Sequence, residues 1–155
     1  MEDWKTATNR GMVSGACASL LSTVALAALG KGEAGSMFAP TNAISHWFWG
    51  DKATRRDAAS LRYTLTGYLI HHASATFWAV LLERFMGEKL NSKTLASTLP
   101  ASLAASAVAC FVDYQMTPQR LKPGYEQRLS RPSLAIVYGA FAIGLAAGAL
   151  GSRRA

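Results

Sequence analysis

The residues of this chain best suited to chemistry are two adjacent histidines, His71 and His72. They fall inside an apolar run, about Tyr63–Leu82, closed by Arg62 on one side and Glu83-Arg84 on the other. If the run is a membrane helix, the pair lies roughly 13 Å along it, at 1.5 Å per residue. Ionisable groups at that depth are costly and mark function by default. Adjacent positions on a helix are about 100° apart, so the two rings point different ways. His71 shares a face with Gly67, Ala75 and Ala79, whereas His72 aligns with Tyr68 and Thr76. Three readings follow. The rings can bridge helices by donating to a neighbouring carbonyl. They can line a proton or substrate path with Tyr68 and Thr76. They can also ligate a metal or haem.

A metal needs donors that converge. The chain holds three histidines, His46, His71 and His72, with Asp57, Glu83 and Asp113 near the ends of apolar runs. No HxxxH or ExxH spacing occurs, so these histidines are candidates without a recognisable metal motif. A haem held by two histidines would need His46 or a second subunit, because the other apolar runs carry no histidine. His46, within Ser45-His46-Trp47-Phe48-Trp49-Gly50-Asp51, either faces the mouth of a bundle or rests as an amphipathic ring in the headgroup layer. Asp113, beside Tyr114, is expected to pair with an arginine of the following loop or with another helix end. Glu83-Arg84 reads as a solvated helix end. There is no GxSxG elbow and no glycine-rich phosphate loop. Cys17 and Cys110 lie in apolar runs without a CxxC partner and read as small hydrophobes.

The elements that must position these groups follow from composition. Half of the 155 residues are hydrophobic and 16% are charged, against about 25% charged in a soluble domain. The charges collect between four apolar segments: Gly11–Leu29, about Tyr63–Leu82, about Thr94–Val112, and Ser133–Gly151. A bilayer core of about 30 Å takes about 20 helical residues to cross. The expected fold is therefore all-α: a single membrane domain of four transmembrane helices, the first retained rather than cleaved. Helices are required because unpaired backbone groups in lipid are costly.

The connections add detail. After Pro40, Thr41 or Asn42 is placed to cap a short interfacial or re-entrant helix over about Thr41–Trp49. The second spanning helix can begin early, running from about Lys52 to Phe85. Pro100 either kinks the third or marks its start. The second loop, about Glu83–Lys93, is short. The third, Asp113–Pro132, is rich in turns.

Small residues recur every fourth position in the first run: Gly11, Gly15, Ser19, Thr23 and Ala27. Ala140, Gly144 and Gly148 repeat the pattern in the fourth run, and Ser102, Ser106 and Cys110 in the third. Such stripes let helix backbones approach closely.

The net charge is +7. Because the basic residues flank apolar runs, the expected partner is the bilayer and its anionic headgroups rather than nucleic acid. With four crossings, seven Lys and Arg fall on the side of the termini and nine on the other. That small bias places both termini outside.

Three stretches carry a resemblance: Ala39–Trp47, Gly67–His72, and Val112-Asp113-Tyr114 with Thr117-Pro118 and Arg120–Glu126. On them the chain resembles small four-span inner-membrane proteins of proteobacteria. The resemblance implies a bacterial inner membrane and no particular activity. Succinate dehydrogenase anchor subunits also combine few spans, a haem histidine and an Asp-Tyr pair. Here no histidine precedes Asp113-Tyr114 in the third run, which argues against that comparison.

Three function classes stand in order of preference. The first is a non-enzymatic accessory subunit that packs against itself, as a homo-oligomer, or against a larger membrane complex. The second is a small transporter or channel using His71 and His72. The third is a haem- or metal-binding redox or enzyme subunit.

Overall fold

A computed structural model describes residues 1–153; Arg154, counted above at the C-terminal end, and Ala155 lie outside the described residues. The described residues are all helix and loop, with no strand. Among the described residues six α-helices occur in order: α1 (Trp4–Glu33), α2 (Ala39–Ile44), α3 (His46–Trp49), α4 (Thr66–Leu90), α5 (Leu95–Phe111) and α6 (Arg131–Gly151).

Among the described residues three helices are long and apolar enough to cross a membrane: α1, α5 extended to Met116, and α6. The second apolar run does form a helix, α4, but it is not among them. Tyr68, His71, His72, Glu83 and Arg84 make α4 too polar to qualify on composition.

Local chemistry sets the helix ends. The Asp3 carboxylate accepts from the Thr6 amide at 3.0 Å, satisfying an orphan donor in the first turn of α1. The Thr6 side chain and amide together hold the Asp3 carboxyl below its ordinary value. At the entry to α4, the Ser60 hydroxyl accepts from the Tyr63 amide and the Ser60 amide donates to the Thr64 hydroxyl. One wide turn, Leu61–Leu65, then leads into α4.

Several expected boundaries change. The proposed helix from Lys52 does not form. Gly50–Arg55 is a 3-10 turn, and the chain is extended at Arg56 and again at Ser60. The cause is Asn42, whose side-chain amide donates to the carbonyls of Arg56 and Ala58 at 2.9 and 3.0 Å. That ties residues 56–58 to a non-helical path. The expected helix over 41–49 is two helices broken at Ser45, whose hydroxyl donates to the Asn42 carbonyl. Neither Thr41 nor Asn42 caps it. Phe38 occupies the cap position, Pro40 lies in the first turn, and residues 39–46 are buried rather than spread on a surface. The second loop shrinks to residues 91–94 because α4 runs on to Leu90. α5 starts at Leu95 and passes through Pro100, so the proline neither starts nor ends it.

The chain forms two compact units. The first comprises Met1–Ser22, His72–Cys110 and the residues from Tyr138 onward; the second comprises Thr23–His71 and Phe111–Val137. The core of the first is made of small residues: Ala18, Ala75, Ala79, Ala101, Ala109 and Ala149, with Leu82, Leu145 and Phe141 filling between them. The second buries Ala39, Ala43, Ile44, Ala53, Tyr125 and Leu129. In it, Glu33 at the end of α1 meets the start of α6, accepting from the Ser130 amide at 2.6 Å and from the Ser130 and Ser133 hydroxyls. A carboxylate is favourable there, against the positive end of the α6 dipole.

Many outward residues of the long helices are large and apolar. Leu20, Leu21 and Val24 on α1, Leu69 and Phe77 on α4, Leu103 and Val108 on α5, and Ile136 and Ile143 on α6 are all exposed. That is far more exposed apolar surface than scattered surface hydrophobes provide.

Candidate functional site

Within the first unit, α1 and α4 run antiparallel in a fixed four-residue register. A Cβ at Gly11 would lie 2.6 Å from a Val80 side-chain carbon, and one at Gly15 would lie 2.5 Å from the Thr76 Cα. One step further, the Ser19 hydroxyl meets His72 Nδ1 at 2.8 Å. Ser19 is fully buried, and its hydroxyl also donates to the Ala16 carbonyl at 3.1 Å. A hydroxyl has one proton, so with that bond made the imidazole Nδ1–H is the donor to Ser19. The neighbouring face of α1 receives α6. A Cβ at Gly144 would lie 2.5 Å from the Ala18 Cα, and one at Gly148 would overlap the Ser14 Cα. Thus α1 presents two adjacent small-residue faces, one to each neighbour. The Ser106 hydroxyl donates to the Tyr138 carbonyl at 2.7 Å and joins α5 to α6.

Ser19→Ala should remove the His72 bond while leaving the Gly11 and Gly15 contacts intact. The expected cost is about 1 kcal/mol, the net worth of one hydrogen bond. Unfolding of the variant in mixed micelles, with the His72 Nδ1–H followed by NMR, checks it; an unchanged Nδ1–H resonance would contradict the assignment.

The same unit holds a charged centre. Glu83, read from sequence as solvated, is fully buried. It pairs with Arg153, whose side chain is 1% exposed. The contact is a two-pronged fork: Nη1 to Oε1 at 2.9 Å and Nη2 to Oε2 at 2.5 Å. The guanidinium also donates to the carbonyls of Ala149 and Gly87, and through Nε to Asn91 Oδ1 at 3.0 Å. Ser14 donates to Glu83 from α1 at 3.4 Å. Asn91 extends the network outward, accepting from Arg10 at 3.0 Å and donating to Glu2 at 2.6 Å. The four charges, from Glu2, Arg10, Glu83 and Arg153, balance. Next to this centre along α4, the Arg84 guanidinium lies over the exposed Trp4 ring, 5.1 Å from its centroid.

In the second unit α2, the start of α4 and residues 122–126 meet one another. Gly67 on α4 lies directly against the Thr41 carbonyl, leaving no room for a Cβ. The edge of the His71 ring meets Tyr125 at 6.4 Å between centroids and 85° between planes. His46 donates from Nδ1 to the Ala43 carbonyl at 2.9 Å. Gly124, at φ +95°, packs on both; a Cβ there would lie 2.6 Å from each of those atoms. Only glycine fits that conformation and that gap. Trp47 Nε1 donates to the Lys122 carbonyl at 2.9 Å, and the Gly124 amide donates to Glu126 at 2.7 Å. Asn42 accepts from the Thr64 hydroxyl at 2.6 Å.

The sequence candidates are therefore spread over several settings. His72 and Ser19 meet in the α1–α4 seam, Gly15 and Thr76 lie beside them, and His71 and His46 lie in the second unit. Tyr68 is half-buried on α4; Thr23 lies on α1, and Asp113 sits in the wide turn Val112–Met116 after α5. Among the described residues no three His, Cys, Asp or Glu side chains gather in a way that could hold a metal ion. Sequence reasoning misassigned Glu83, read as a solvated helix end, and Asn42, read as a helix cap, and it missed the roles of Arg153 and Asn91. For Glu83 a signal existed: it follows Val80-Leu81-Leu82 and precedes Phe85-Met86, so its turn of helix is apolar on both flanks.

No family model matches the chain, and neither a curated protein nor a solved structure shows a significant match to it.

Proposed function

We propose that the protein is a four-crossing membrane protein of the bacterial inner membrane that works without turnover, as an accessory subunit packing against a second copy or a larger complex. One observation carries this reading: the covered ionisable groups Glu83, His72 and His46 are each bonded inside the fold, while large apolar side chains point outward from the long helices. Glu83 is held by Arg153, His72 by Ser19 and His46 by Ala43. In this reading such groups lock the helices and perform no chemistry.

The fourth crossing is α4. Its 25 residues extend about 37 Å, enough for a bilayer core. Its polar groups are tolerable because α1 covers that side and because Glu83 and Arg153 neutralise one another. Both termini then share a side, which the lysine and arginine distribution places outside.

Capture of a partner in the membrane tests the accessory role. Gly139 on α6 has no neighbouring atom within 4 Å of where a Cβ would stand. Cysteine there, combined with removal of Cys17 and Cys110, should cross-link in intact membranes to a species larger than the 16.5 kDa chain. Only monomer at Gly139→Cys and at equivalent outward positions of α5 would overturn it.

A further inference from the structure

The second unit contains a groove of about 940 Å³ between the last turns of α1, residues 35–38 and residues 57–59. That volume falls in the roughly 300–1,000 Å³ range of small-molecule sites. Its walls are mostly apolar. Val24, Met37 and Phe38 line it and are 68%, 48% and 36% exposed. Ala27, Ala28 and Lys31 of α1 line it as well. Residues three and four apart share a helix face, so Val24, Ala27, Ala28 and Lys31 form one continuous strip. From Val24 to Lys31 the rise is about 10 Å, and over it the wall changes from apolar to cationic.

The charges around the groove are unequal. Asp57 lines it, but its carboxylate is engaged by Arg128 at 2.6 Å. Lys31 makes no ion pair among the described residues. The groove therefore offers an apolar slot ending in one uncompensated cation.

We propose that this groove holds an acyl chain of an anionic phospholipid, with the Lys31 ammonium on its phosphate. The inference rests on the membrane reading above. A slot of this kind needs an occupant that is apolar along its length and negative at one end, and a bilayer supplies that occupant at the depth where α1 ends.

Full-length protein in nanodiscs of phosphatidylcholine with phosphatidylglycerol, analysed by native mass spectrometry for retained lipid, tests it. Wild type should retain phosphatidylglycerol over phosphatidylcholine by about fivefold, the factor one lysine near an anionic surface supplies. Lys31→Gln should bring the ratio to one while lipid still binds. Ala28→Trp, which fills the slot, should reduce retention of both. Both positions are exposed, so unfolding midpoints should match wild type. Equal retention of the two lipids by wild type, or wild-type retention in Ala28→Trp, would overturn the assignment. Alkaline carbonate extraction separates this from the broader reading. Release of the protein into the soluble fraction would refute membrane insertion itself, whereas a membrane-retained protein without lipid preference would refute only the groove.

Discussion

Glu83→Ala should destabilise the protein by about 3–5 kcal/mol, the cost of leaving one member of a buried ion pair without its partner. Arg153 is 5% exposed as a residue, and among the described residues its guanidinium meets no other carboxylate. With Glu83 gone, the cation keeps the Ala149 and Gly87 carbonyls and Asn91, none of which carries charge. Glu83→Gln should cost less than alanine, because an amide still accepts from the guanidinium. The double variant Glu83→Leu with Arg153→Leu should recover most of the loss, since apolar replacement of a buried pair is often neutral or stabilising by 1–4 kcal/mol. Denaturant titration of wild type, Glu83→Leu, Arg153→Leu and the double variant in mixed micelles provides the cycle. Additive single losses, with no recovery in the double variant, would show that the two side chains act separately.

A second large effect is expected at Gly67. Its position against the Thr41 carbonyl is a contact between two backbones, where nothing flexible can yield. Gly67→Ala should cost about 3 kcal/mol, at the upper end of overpacking penalties, despite a helix-propensity gain of about 1 kcal/mol. Gly139→Ala is the matched control. It meets nothing within 4 Å, so it should be neutral or stabilising by up to about 1 kcal/mol. Unfolding midpoints of the two variants measured side by side check the contrast. Equal midpoints would mean that α4 does not approach α2 as closely as described.

Much of the fold was legible because it rests on composition over long windows. The absence of charge across Gly11–Leu29 and the apolar runs of α5 and α6 mark helices that need apolar surroundings wherever they pack. The segment around residues 41–60 was not legible. Its path depends on Asn42 reaching carbonyls 14 and 16 residues away, a tertiary choice that local propensity does not contain. Caps are read from nearest neighbours, so Thr41 and Asn42 looked like a helix start; burial of Asn42 diverts its side chain elsewhere. The charged centre escaped for the same reason. Glu83 and Arg153 are 70 residues apart, and each alone reads as an ordinary helix end beside the headgroups. The histidines were visible as unusual residues, but their settings were not. Adjacent in sequence, His71 and His72 meet different partners, Tyr125 and Ser19, because successive side chains on a helix point apart.

The account turns on α4. It is the helix that carries His71, His72 and Glu83, and its polarity separates it from the three strongly apolar helices. Whether it crosses the bilayer fixes the parity of the topology. The most direct measurement attaches a membrane-impermeant cysteine label to sites before α1, in the 91–94 turn and after α6, in intact cells of a cysteine-free variant. Four crossings predict one pattern for all three sites, labelled together from the same side, with a site in residues 51–60 labelled from the other. Termini labelled from opposite sides would contradict the account and leave α4 outside the bilayer.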